Sequence, residues 1–171
     1  MNALVTEITA MLDASGRAID ALVAGVKPDV ARSEPAPGKW SIHEVLGHLA
    51  DEERHDFRLR IDYILHRAGE EWPPLDTERV VRDANFNEKS LDTLRTDFLL
   101  ERQTSLTWLA GLHNANWSAA YNHPRRGSFS ASSMLSAWAA HDLLHLRQIE
   151  RILFQHLKGV APDKTDYAGE W

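Results

Sequence analysis

His141 and His145, in the segment AWAAHDLLHLRQIERIL, are the residues of this chain best spaced to do chemistry together. The segment has helical periodicity, so a spacing of four sets both imidazoles on one face, one turn apart. That is how a helix presents two nitrogen ligands to one metal ion. Nine histidines in 171 residues give roughly half such a pair by chance, so the pair alone carries little weight. A third histidine, His48, adds to it from a second, strongly marked helix. His48 falls on the ridge Val45, His48, Glu52, His55, which borders that helix's apolar stripe, and a side chain there can point into a seam between helices. Two ligands from one helix and one from a neighbour leave coordination positions open to water or substrate, the form of a catalytic zinc site. The competing reading is a set of polar side chains hydrogen-bonded on partly buried faces, and spacing alone does not separate the two.

Two carboxylates stand next to these histidines. Glu52, one turn from His48, suits either a partner for the second ring nitrogen or a general base, with an exposed salt bridge as the alternative. Asp142 points roughly 100° around the helix from His141, which directs it toward a neighbouring helix. Trp138, one turn before His141, fits the core and can also wall a pocket. His55 fits a surface position better than the site, and His43 is expected to face solvent. His66, His113 and His156 fall near helix ends, where the C-terminal dipole favours a cation. His123 is a loop residue that can line a pocket mouth.

Composition narrows the chemistry. The chain has no cysteine, which excludes disulfides, thiolate zinc ligands and a cysteine nucleophile and leaves His, Asp and Glu as metal ligands. A net charge of −6 argues against nucleic acid as a partner. No stretch reaches the ~20 apolar residues of a membrane span, and Glu7 and Asp13 interrupt what a signal peptide needs as an apolar run. Cytoplasmic location is the expectation.

The elements that must position these side chains read as four long amphipathic helices. The first carries Leu4, Ile8, Met11, Leu12, Ile19 and Leu22 and ends near Gly25 and Pro28, followed by a proline-rich linker. The second opens with a capping-box pattern, Ser41 and Glu44, flanked by Trp40 and Val45 as a hydrophobic staple, and runs to about Ala68. The third reads from about Glu88 to His113. The fourth starts at Ser130 as N-cap, with Phe129 and Met134 as a staple pair, and continues to about Leu157. No period-two alternation bounded by turns is evident, so strands are not expected. A single domain spanning 1–171, an all-α four-helix bundle, buries all four stripes. The connection between helices 2 and 3 is long enough to run the length of the bundle, so it can be a crossover.

The string KWSIHEVLGHLADEERH, followed some ninety residues later by AAHDLLHLRQIERIL, resembles the DinB/YfiT-like family of four-helix-bundle proteins. The resemblance covers nearly the whole chain. It rests on Trp40-Ser41, on His48 within HLADEE, on His141-Asp142 with His145, and on a His-Pro-x-x-Gly loop at His123, Pro124 and Gly127. It implies a divalent metal ion, zinc or nickel foremost, held by His48, His141 and His145, and no ligand position departs from the pattern. A homodimer is also common in the family. Relatives use low-molecular-weight thiols in S-transfer, so the resemblance implies a metal-dependent transferase that takes a small-molecule substrate and activates an external thiol, with Glu52 as the candidate catalytic carboxylate. A hydrolase using metal-activated water and a non-catalytic metal-binding protein are the alternatives.

Overall fold

The computed structural model describes residues 3–74, 81, 84–161 and 165–169. Helix α1 is Ala3–Val23. A single short turn of helix, α2, Pro28–Arg32, forms within the linker, with proline in its first turn where no backbone donor is needed. Helix α3, Ile42–Glu52, passes through a π-helical segment, Glu53–Phe57, into α4, Arg58–His66, as one rod. Helix α5 is Leu91–Gly111 and α6 is Ala131–Val160.

The caps are those written in the sequence. Ser41 Oγ accepts from the Glu44 amide at 3.2 Å while the Ser41 amide donates to Glu44 Oε2 at 2.8 Å, closing the capping box. Ser130 Oγ accepts from the Ser133 amide at 3.0 Å at the start of α6. Helix α5 opens later than the sequence periodicity indicates, because Ser90 caps it through the Thr93 amide. Residues Phe86–Glu88 form a 3₁₀ turn instead.

Side-chain pairs fix the helix directions. Arg54 meets Asp97 at 3.6 Å, and Arg58 donates to Ser105 Oγ at 3.1 Å. Residue numbers therefore rise together along α3–α4 and α5, which makes these neighbours parallel. Arg95 pairs with Asp20 at 2.8 Å and Arg102 donates to the Leu12 carbonyl, so α1 runs against α5. The contact of His48 with His141 and of Glu53 with Trp138 sets α6 against α3. Parallel neighbours need a connection that returns along the bundle, and the segment from Arg67 to Ser90 is that crossover.

Two apolar clusters fill the bundle. One holds Ile19, Val23, Leu46, Phe98, Ile149 and Ile152; the other holds Val5, Leu12, Phe57, Ile61, Leu109 and Trp138. A charged layer is buried near their junction. Arg102, 3% exposed, grips Asp142 with two hydrogen bonds of 2.6 and 2.8 Å and Glu53 with one of 2.8 Å. Trp138 Nε1 donates to the same Glu53 oxygen at 3.0 Å, and Ser15 Oγ donates to Asp142. Asp142 thus bonds neighbouring helices, as its position around α6 predicts. Burial pushes the Glu53 carboxyl up, against the pull of Arg102.

The absence of strands expected from the sequence is corrected. Ala120–His123 and Gly127–Ser130 pair antiparallel, with Tyr121 opposite Phe129. Four-residue strands are too short for alternation to stand out. The backbone ladder joins them, and Trp72 packs on the pair, stacking on Tyr121 with ring centroids 4.2 Å apart. The turn closes at Gly127, whose φ of +83° suits glycine. No helix among the described residues is long and apolar enough to cross a membrane.

Candidate metal centre

His48 projects from α3, and His141 and His145 project from α6 across the seam. His48 Nε2 lies 3.1 Å from His141 Nε2, which lies 3.1 Å from His145 Nε2. The three candidate ligand atoms all fall within 4.8 Å of one another. Nitrogens bound at 2.0–2.1 Å to one tetrahedral ion sit about 3.3 Å apart, so the two 3.1 Å pairs have the spacing of a shared cation.

The protonation states fit as well. Gln148 Oε1 accepts from His145 Nδ1 at 2.8 Å, which leaves the lone pair on Nε2, facing the other two rings. Glu52 Oε1 stands 3.7 Å from His48 Nδ1, too long for a hydrogen bond, and both side chains are buried. Burial first, then His145 and His141, pushes the His48 imidazole down to about 2. Burial and His145 push His141 down to about 3, and burial lowers His145. Neutral imidazole is the form that coordinates a metal. Three convergent neutral imidazoles, each able to turn an Nε2 lone pair inward, are a donor set for a divalent ion.

Aromatic rings hold this arrangement. Trp40 packs on His48 with centroids 4.8 Å apart and stacks over His145 at an interplanar angle of 7°. Phe57 lies 5.1 Å from the His141 ring and stacks on Trp138. The residue read as a staple, Trp40, is therefore also a wall of the site. Trp138 is core, and Phe57 lies between it and the His141 ring.

The histidines form the floor of a cavity of about 950 Å³, a size suited to a small molecule. Glu52, Asp56 and Arg60 line one side, and the hairpin contributes Tyr121, His123 and Arg126 on another. His123 stands where a pocket-mouth residue was expected. His55 is exposed and does not line the cavity. His43 is corrected: it is fully buried, with Nδ1 3.4 Å from the Phe86 carbonyl oxygen, because the segment around Phe86 covers the first turn of α3. Sequence reading missed Phe57, Gln148 and Arg60. Gln148, three residues after His145, has the spacing of a same-face partner and was findable; the other two needed the fold.

Fold and site together define a helical bundle with a three-histidine group at one seam that could hold a metal ion. The chain belongs to the DinB superfamily, whose family model matches residues 11–149. Among solved structures it is similar to YfiT from Bacillus subtilis, a four-helix-bundle protein, at 14% identity and a TM-score of 0.78, covering 89% of this chain and 87% of that one. That likeness shows the fold. No curated protein matches the chain in sequence.

Proposed function

We propose that this chain is a metal-dependent enzyme that binds one divalent ion, zinc or nickel, through His48, His141 and His145 and transfers a small thiol to an electrophilic substrate. The observation that carries the metal reading is the convergence of three neutral Nε2 atoms on the floor of an open cavity. A divalent ion there supplies Lewis acidity, which lowers the pKa of the nucleophile that reaches it. Gln148 keeps the His145 proton on Nδ1, and Trp40 and Phe57 hold the rings in place. In this reading Glu52, buried in the cavity wall, accepts the proton the nucleophile gives up. The chain has no cysteine, so the thiol must be external. The cavity volume supports room for a thiol beside a second reactant.

A specific observation favours hydrolysis as a second reading. The carboxylate of Glu52 beside the histidines is also what water activation requires, and YfiT is described as a probable metal-dependent hydrolase.

Elemental analysis of untagged protein tests the site. About one divalent ion per chain is expected, lost in His48→Ala and His145→Ala and kept in His55→Ala and His156→Ala; equal retention in all four rejects the site. Activity separates the reactions. Thiol transfer consumes a generic electrophile only with both thiol and metal present, whereas hydrolysis turns over an ester with metal alone. Ester turnover that ignores added thiol overturns the transferase reading.

A further inference from the structure

We infer that the substrate entering this cavity carries an oxyanion group and that Arg60 is the residue that receives it. The inference rests on the cavity being the functional site, as proposed above; the fold treats two of the chain's arginines differently.

Arg102 shows how this chain uses a buried arginine for structure. Its guanidinium is engaged on every side, by Glu53, Asp142 and the Leu12 carbonyl. Arg60 is also largely withdrawn from solvent, its side chain 14% exposed, yet it is not engaged in that way. Its Nε pairs with Asp56, one turn back on the same rod, and its face lies over the Trp72 ring, 4.6 Å from Cζ to the centroid. These contacts use one edge and one face of the guanidinium. The two terminal amino groups make no hydrogen bond among the described residues, and Arg60 lines the cavity.

Withdrawing a cation from water without filling its donors is unfavourable, so a chain keeps such an arrangement where something else fills them. A planar fork of N–H donors, held in place by Asp56 and Trp72, matches a carboxylate or phosphate in bidentate geometry. The surrounding charge agrees. Burial lowers the proton affinity of Arg60; Glu52 raises it and Arg126 lowers it, which puts Arg126 close enough to repel. Arg125 and Arg126, on the hairpin turn, line the same cavity and make no ion pair among the described residues. Two cations facing one space are relieved by an anion between them. Three acids, Glu52, Asp56 and Glu71, line the cavity beside the three arginines, and Asp56 pairs with Arg60. Against a net charge of −6 for the whole chain, a lining with as many arginines as acids is relatively rich in cations.

Calorimetric titration of the full chain, as purified and after chelation, tests this with sodium succinate, inorganic phosphate and the neutral succinamide. Wild-type protein is expected to bind at least one of the two anions and not the amide, more weakly as salt rises. Preference for succinate identifies a carboxylate, and preference for phosphate a phosphate ester. Arg60→Gln should weaken anion binding roughly ten-fold or more. Arg60→Lys, which keeps the charge facing Asp56 and so protects the fold, should lose most of the affinity because an ammonium has no fork. Circular dichroism confirms that each variant is folded. Unchanged affinity in the folded variants, succinamide binding as tight as succinate, or wild-type protein that takes neither anion overturns the inference. Failure of the metal reading looks different: no ion is retained, while the Arg60-dependent binding persists in chelated protein.

Discussion

Three imidazoles that meet Nε2 to Nε2 are stable together only while uncharged, and this makes the site sensitive to acid. His48 is held down to about 2 and His141 to about 3 in the fold, against ~6.5 in an unfolded chain. Between those values the unfolded state binds more protons than the folded one, so stability rises with pH there and is lost as pH falls from ~6.5 toward the folded values. Metal-free protein should therefore begin to lose its urea midpoint below pH ~6.5, well above the carboxylate range. His48→Gln combined with His141→Gln should flatten that slope, and a slope unchanged by the pair would refute the assignment. Gln148→Met should lower metal affinity by roughly 10- to 100-fold with little change in thermal midpoint, since it removes the group that sets the His145 tautomer. Titration against a chromophoric chelator measures it. The candidate ligands were legible in part because a four-residue spacing sets His141 and His145 on one helix face, while joining His48 to them took the family resemblance. Glu52 was legible as a neighbour of His48 but not as a buried one, because burial depends on what packs over α3. Arg60 was invisible, since its environment comes from Trp72, twelve residues on and beyond the end of its own helix.

The π-helical segment Glu53–Phe57 interrupts a rod that the sequence reads as one regular helix. It lies where Glu52 lines the cavity while the adjacent Glu53 turns to Arg102, so neighbouring residues serve different sides of the rod. The widened turn is of the kind that recurs at functional sites, and periodicity alone has no pattern for it. The start of the rod was fully legible, because a capping box is local chemistry. Ser41→Ala should cost about 1 kcal/mol, read as a shift in denaturant midpoint with an unchanged slope. Gly47 is a matter of space. A Cβ there would stand 2.3 Å from the Phe86 ring, so Gly47→Ala must displace it. The expected loss is about 1–3 kcal/mol, with a change in near-ultraviolet dichroism as Phe86 and the turn around it move. Equal dichroism and stability would mean that this turn yields freely.

Across the whole molecule, the parallel pairing of α3–α4 with α5 was foreshadowed only by the length of a loop. Which helices are neighbours is decided by the buried Arg102 layer and the two apolar clusters. Arg102→Met should cost about 3–5 kcal/mol, because it leaves two carboxylates without their cation, whereas replacing Arg102, Glu53 and Asp142 together by apolar residues should recover much of that loss. Chemical denaturation of the single and triple variants decides it. The hairpin has a consequence of another kind. Its two strands leave and rejoin the fold within a few residues, anchored by the Ala131 amide on the Ala119 carbonyl and the Ser132 amide on the Trp117 carbonyl. None of its side chains contributes a candidate ligand. Floor and rim are therefore separable parts of one tool. The segment between His123 and Gly127 can be exchanged for another of the same span, or diversified in a library, to retune what is admitted while the histidine centre is inherited intact.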